Sequence, residues 1–328
     1  MTTGKVANIL PCISAGFFFL ERVPRMGILQ EYKQSLKMPE AEEVIDLALN
    51  RPIAFVLVKL IYRLPITPNQ VTFLSFLCNL AAAYYFSLGI PGMFAVAAIW
   101  HAVGNVLDCS DGQLARLQQS GTPLGRLVDG IYDWLSSATI FVALGIGLTR
   151  LTGDSTIWYL VIVGGFTSAL HSVLFDGYQQ EFISNVRAEK NFLNREIEKI
   201  EAELQALQLT HRGALRRMIL RVYLRYMAIQ QRSQFKSKGR QQFPPHLYME
   251  KSKGVMRWWS FLGPTTNRSL LMAAGLLQQP TLFFWTVITA GNLWLIVALI
   301  WQRRVQRDLE RTLQDRPIAI PKESPAEA

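Results

Sequence analysis

The residues able to do chemistry gather in one run, Asp108-Cys109-Ser110-Asp111-Gly112-Gln113-Leu114-Ala115-Arg116, followed after eight residues by Gly125-x3-Asp129-x3-Asp133. Long apolar stretches flank this run on both sides. Between Val71 and Phe175 the only other acid is Asp154, and there is no Glu or Lys. An unpaired carboxylate inside a bilayer is costly, so four of them require a common partner. A divalent cation is the natural one, because hard ions such as Mg²⁺ select carboxylate oxygen. Asp108 and Asp111 are three residues apart, and Asp129 and Asp133 four apart, so on helices each pair projects from one face. A turn around Ser120-Gly121-Thr122-Pro123 lets two helix ends bring the pairs together. Four carboxylates at one point repel unless cations lie between them. The opposing reading, solvated acids in a loop, fits the apolar flanks poorly.

Every fixed position of the signature D-x2-D-G-x2-A-R-x8-G-x3-D-x3-D is filled, and both gaps have the right length. On this run the chain resembles the CDP-alcohol phosphotransferases, over roughly residues 50–175 and more loosely over its last two apolar segments. The resemblance does not extend to the N-terminal forty residues or to about 178–262. It implies that an alcohol attacks the β-phosphorus of a CDP-linked donor and that CMP leaves. It also implies two divalent cations, Mg²⁺ or Mn²⁺, held by Asp108, Asp111 and Asp129, with Asp133 joining the second ion and acting as general base. An ordinary carboxylate, with a pKa of about 4, is a weak base for an alcohol. Its usefulness therefore depends on metal activation or on late proton transfer.

For the donor, the resemblance points to Asn69, Gly112, Ala115, Arg116, Thr122 and Gly125. Gly112 and Ala115 are small where a nucleotide meets the helix and a side chain would occlude it; close helix packing is the weaker alternative. Arg116 offers planar donors to phosphate, and Gly125 lets the second and third spans approach. For the acceptor, Arg126 and Arg268 are each placed to hold a phosphate or to snorkel to headgroups. His171 reads as a packed, hydrogen-bonded histidine. The motif does not choose the lipid partner. CDP-diacylglycerol donating to a small polar alcohol or polyol phosphate is favoured. CDP-choline or CDP-ethanolamine donating to diacylglycerol is the alternative, with a soluble CDP-polyol as a third variant. A catalytically silent membrane scaffold is the rival of another class. The family also implies a homodimer.

The chain has 328 residues, half of them hydrophobic, with 18% charged and a net charge of +10. That composition fits a small multi-span membrane protein with polar extensions. The positive charge is better matched to anionic headgroups than to nucleic acid, and no nucleic-acid partner is expected. Cys12, Cys78 and Cys109 have no paired framework, so no structural disulfide is expected. Ile9 to Leu20 is too short to span and lacks a cleavage-site pattern, which makes it an interfacial segment.

The expected fold is all-α: an integral membrane bundle of about six transmembrane helices, with an N-terminal interfacial helix and a cytoplasmic helical-hairpin insertion. Residues 1–66 form the tail and interfacial helix, with Arg51, Lys59 and Arg63 on the headgroup side. Residues 67–177 hold four spans and the motif. Thr67 and Pro68 open the first span as cap and first helical position. Residues 178–262 form the basic insertion, 263–302 the last two spans, and 303–328 the tail. In the insertion, Val186, Leu193, Ile197, Ile200, Leu204 and Leu207 recur as an a/d-type seam, with a turn at Thr210-His211-Arg212-Gly213 and a second, basic helix beyond. With six spans, Arg116, Arg126, the insertion and Arg303-Arg304 fall on one side, against Arg150 on the other. The motif is therefore expected to face the cytoplasm.

Overall fold

The structure is a computed structural model that describes residues 27–187 and 243–315, with residues 197, 200–202, 204–205, 217–218, 220–221 and 224 between them. The described residues are all-α. Helix α1 (Ile28–Ser35) leads through an irregular strap into a π turn (Asp46–Asn50), which continues into α2 (Arg51–Ile61). Four long helices follow: α3 (Pro68–Leu88), α4 (Met93–Leu117), α5 (Pro123–Thr152) and α6 (Ile157–Arg187). Further on come α7 (Pro245–Trp259), α8 (Pro264–Leu276), α9 (Thr281–Thr286), a second π turn (Val287–Gly291) and α10 (Asn292–Asp315).

Among the described residues, five stretches are long and apolar enough to cross a bilayer: Pro68–Leu88, Met93–Leu117, Gly125–Thr152, Ile157–Arg187 and Thr281–Thr312. The segment expected as the fifth of six spans is α8. Its 13 residues rise only about 20 Å, against roughly 30 Å of hydrocarbon. It packs inside the bundle against α4 and α6.

Helix α3 opens on a capping box. The Gln70 N–H donates to Thr67 Oγ1, and the Thr67 N–H donates to Gln70 Oε1 at 2.9 Å, with Pro68 in the first turn. It closes at Gly89, whose φ of +66° is left-handed. α3 is the central wall of the bundle: α4 and α5 both lie along it rather than along each other. α4 runs antiparallel to it, joined by Ser75 Oγ donating to the Gly104 carbonyl (2.8 Å) and by His101 against Asn79 (2.7 Å). α5 runs parallel to it and touches it backbone to backbone. A Cβ on Gly147 would sit 1.9 Å from the Phe86 carbonyl oxygen, and one on Gly89 would sit 2.3 Å from that of Gly147. Gly125, expected to bring the second and third spans together, instead faces α3, where its Cβ position lies 3.1 Å from Asn69 Oδ1.

Two large cores form. One, at the end away from the aspartates, joins Phe86, Phe94, Leu144, Leu148, Phe283 and Phe284. The other, on the motif side, joins Phe175, Phe182, Tyr248, Met256 and Trp259 to Ala41 of the strap. Tyr159, Ile162, Phe166 and Val173 of α6, with Leu293, Ile296 and Ile300 of α10, point outward, as helices solvated by lipid do. In α2, Ile53, Val56 and Leu60 also face outward while Ala54, Phe55 and Val58 are buried. This helix therefore both lies against the bundle and presents an apolar face. Arg51, expected at the headgroups, is instead buried and paired with Glu42 at 3.1 Å. The reason is the strap, which brings Glu42 beneath it.

In the insertion, Ile197, Ile200 and Leu204 pack with Leu220 and Leu224 and also with Leu127 of α5. Val186 belongs to the tail of α6 and to the motif-side core. Leu193, Leu207, the turn at 210–213, the segment 9–20, Cys12 and the last thirteen residues lie outside the described residues. Cys78 and Cys109 are buried and free.

Candidate functional site

The four aspartates face the gap between α4 and α5, beside the N-terminal half of α3. α4 carries Asp108 and Asp111 one turn apart, and α5 carries Asp129 and Asp133 one turn apart. Oxygens of Asp108, Asp111 and Asp129 all lie within 4.8 Å of one another. Asp111 is buried and accepts a hydrogen bond from Thr72 Oγ1 of α3. One oxygen of Asp129 is buried with no hydrogen-bond partner among the described residues. A buried carboxylate oxygen left in that state costs free energy unless something outside the protein pairs it.

Asp133 stands apart from this triad and meets a cation. Arg268 of α8 donates from Nη2 to Asp133 Oδ1 (2.7 Å), from Nη1 to Asp108 Oδ2 (2.9 Å) and from Nη1 to Asn105 Oδ1 (3.3 Å). The guanidinium thus bridges the two helices that carry the acids, and it turns inward rather than to headgroups. Asp133 keeps 41% of its side chain exposed, against 21% for Asp108. Asp133 is therefore open to an incoming molecule. Arg126, at the start of α5, is exposed. His171 is buried against Asn292 at 3.1 Å, as expected for a packed histidine.

The residues expected around the donor take varied positions. Thr122 caps α5, its Oγ1 accepting from the Gly125 N–H at 3.0 Å. Asn69 and Thr122 both lie beside Gly125. Gly112 makes room for an arginine as well as for any ligand, since a Cβ there would lie 3.3 Å from Arg116 Nη1. Arg116 itself donates from Nε to the carbonyl of Ser35, the last residue of α1 before the strap, while its Nη2 is buried with no hydrogen-bond partner among the described residues.

The residues that sequence reasoning missed are chiefly in that strap. Lys37 N–H donates to Glu42 Oε1 (2.7 Å), and Arg187 donates to the Lys37 carbonyl (3.2 Å). Arg257 reaches the Pro39 and Glu42 carbonyls at 2.8 and 3.2 Å, and Gln179 reaches that of Ala41 at 2.7 Å. Glu42, Glu43 and Asp46 are all buried. The available signal was three acids spaced among apolar residues in a short segment, which also describes an ordinary amphipathic helix.

The described residues thus combine five helices apolar enough to cross a bilayer with an all-carboxylate cluster beside a bridging arginine. Residues 65–210 match the model of the CDP-alcohol phosphatidyltransferase family. The chain is 40% identical over 110 residues to archaetidylinositol phosphate synthase of Pyrococcus horikoshii, covering 33% of this chain and 54% of that protein. It is 35% identical over 96 residues to the bifunctional IPC transferase and DIPP synthase of Thermococcus kodakarensis, covering 29% of this chain and 20% of that one. The match thus spans about half the length of the first relative and a fifth of the second. Arg268 and the strap lie outside the family segment.

Proposed function

We propose that this protein transfers a substituted phosphate from a CDP-linked lipid, with CDP-diacylglycerol favoured, to the hydroxyl of a small polyol phosphate, releasing CMP. The observation that carries this reading is the convergence of Asp108, Asp111 and Asp129 within 4.8 Å, with Asp133 beside them on Arg268. Phosphoryl transfer needs positioning and charge neutralisation more than covalent help. The donor set fits a hard divalent cation: it is all carboxylate, and one Asp129 oxygen is unpaired. Asp108, Asp111 and Asp129 would hold the ion, which when bound neutralises the pyrophosphate and the leaving CMP.

The protein's own groups do the rest. Asp133 takes the acceptor's hydroxyl proton. The freed oxygen forms a bond to the β-phosphorus, and the bond from that phosphorus to the oxygen bridging it to the α-phosphate breaks, so that CMP departs with the electron pair. Arg268 orients Asp133 and offers its charge to an anionic acceptor. That feature favours a polyol phosphate over a neutral alcohol, in keeping with the product named for the Pyrococcus relative. Asn69, Gly112, Ala115, Arg116, Thr122 and Gly125 are assigned to the donor side, and Arg126 to the acceptor side. The excess of arginine at the motif end, with Arg150 at the other, supports a cytoplasmic site. The chain is further taken to work as a homodimer.

The test is CMP release by purified protein in detergent. CDP-diacylglycerol or CDP-archaeol is supplied with inositol phosphate or glycerol phosphate, with and without Mg²⁺ or Mn²⁺. Release that requires both cation and acceptor supports the reading. Release only with CDP-choline or CDP-ethanolamine and diacylglycerol reverses the lipid partner. No release from folded protein under any pairing removes the transferase reading in favour of a scaffold.

A further inference from the structure

Arg268 is useful only if α8 is held at one axial position and rotation. A helix rises 1.5 Å and turns 100° per residue, so a slip of one residue would carry the guanidinium away from Asp133. α8 opens at Gly263, which gives it no side-chain cap of its own. The cap comes from Glu43, 222 residues earlier. Glu43 Oε1 accepts the Thr265 N–H at 3.0 Å, and its Oε2 accepts both the Thr266 N–H (2.9 Å) and Thr266 Oγ1 (3.0 Å). Helix starts leave N–H groups unpaired, and this carboxylate takes two of them.

One turn on, Asp46 completes a second link. Its Oδ2 accepts from Thr265 Oγ1 at 3.1 Å, and its Oδ1 faces Cys109 Sγ at 3.6 Å and accepts from Asn50 Nδ2 at 3.0 Å. Asp46 therefore joins the start of α8 to the residue following Asp108 on α4. The seat is shaped for this arrangement, because a Cβ on Gly263 would lie 2.2–2.5 Å from the Glu43 carboxylate. Gly263 has an ordinary extended φ of −71°, so its smallness serves space rather than backbone freedom. The strap that carries Glu43 and leads into Asp46 is itself fixed by Gln179, Arg187 and Arg257, and by Arg116 at the end of α1.

We propose that Glu43 and Asp46 are positioning residues that clamp α8 to α4 and so set Arg268 between Asp108 and Asp133, which makes the N-terminal strap part of the acceptor half of the site. The kinetic consequence rests on the proposed transferase reading; the structural one does not. A displaced Arg268 weakens acceptor binding and the alignment of Asp133. Within the carboxylate triad that faces the donor, Asp108 also accepts from Arg268, whereas Asp111 is held independently by Thr72 of α3 and Asp129 has no bond to Arg268.

Two variants test the clamp. Glu43→Ala removes the acceptor oxygens, and Gly263→Ala leaves Glu43 intact but fills its seat. Each is compared with the parent protein and with Arg268→Ala. The first readout is labelling of Arg268 by phenylglyoxal, followed by mass spectrometry, which needs no turnover. Labelling should be at least several-fold faster in both variants. Labelling of Arg268 at the parent rate in both overturns the clamp whether or not the protein is a transferase. The second readout is kinetic. KM for the polyol phosphate should rise about tenfold or more in Glu43→Ala while KM for the CDP-lipid stays within about twofold, and the rise should vanish in the Arg268→Ala background. Equal changes in both KM values, or a full effect persisting without Arg268, overturn the proposal. If Glu43→Ala does not fold, Gly263→Ala carries the same two readouts. A parent protein that releases no CMP, together with faster Arg268 labelling in the variants, would retain the clamp and discard the transferase.

Discussion

Replacing Arg268 with alanine removes a guanidinium from between two carboxylates, at 2.9 Å from Asp108 and 2.7 Å from Asp133. Breaking a fully buried pair costs roughly 3–5 kcal/mol, because the remaining charge is left in low dielectric. Here Asp133 is 41% exposed, so solvent screening reduces the cost, and about 2 kcal/mol is the expected loss without metal. For a chain of this size that is a fall of roughly 3 °C in melting temperature. The aspartates can recover part of this from a cation. At a hundredfold excess over Kd, Mg²⁺ adds about 2.7 kcal/mol to a protein that binds it only when folded. The variant should gain more from Mg²⁺ than the parent, since removing a positive charge from the acids raises their affinity for another. The assay is tryptophan-monitored melting in detergent, with chelator and across a Mg²⁺ titration. Equal melting of variant and parent in chelator would refute the ion-pair argument. Absence of any Mg²⁺ response in either protein would refute the assignment of Asp108, Asp111 and Asp129 as ligands.

Three further outcomes are expected. Asp133→Asn should lower turnover by at least about a hundredfold, the usual contribution of a general base, while CDP-lipid binding measured by calorimetry stays near that of the parent. Gly147→Ala should destabilise the protein by about 3 kcal/mol or prevent folding, because the new methyl meets the Phe86 backbone carbonyl, which cannot yield as a side chain would; a variant melting with the parent would contradict the α3–α5 contact. The Glu43 carboxyl is pushed up from 4.5 to about 7, first by burial and then by the charge of Asp46, against the pull of its hydrogen bonds to Thr265 and Thr266. A carboxyl with a raised folded pKa contributes stability that is fully present below about 4.5 and is lost as pH rises through about 7. The loss is on the order of 3 kcal/mol. Melting of the parent should therefore fall from pH 5 to pH 8, and Glu43→Gln should flatten that slope; an unchanged slope would show that another group titrates there.

The aspartates could be read from sequence because their spacing matches helical periodicity, and the bilayer makes uncompensated acids conspicuous. The cap at Thr67 and the first four spans were legible for equally local reasons. What stayed hidden depends on contacts across long stretches of chain. Arg268 meets Asp133 over 135 residues, and nothing in its own neighbourhood distinguishes a bridging arginine from a snorkelling one. Arg51, at the head of an amphipathic helix, looked like a headgroup contact because Glu42 becomes its partner only once the strap folds back. Gly112 leaves space that also lies against Arg116, a contact its smallness alone does not reveal. α8 looked like a span because composition reports apolarity but not where a helix stops.

The reach of Glu43 to α8 also bears on synthesis. The acid leaves the ribosome 222 residues ahead of the N–H groups it will accept, which at roughly 5–20 residues per second is an interval of about ten to forty seconds. Arg268 is born in the same late stretch. The long helices that carry the acids are therefore made with their carboxylates open to whatever cations the surroundings provide, and the strap waits beside them with Glu43 still lacking the N–H groups of Thr265 and Thr266. Assembly of the site is thus a terminal event in the biogenesis of the chain, and nascent chains stalled before residue 263 should carry the acidic triad without the arginine that bridges it.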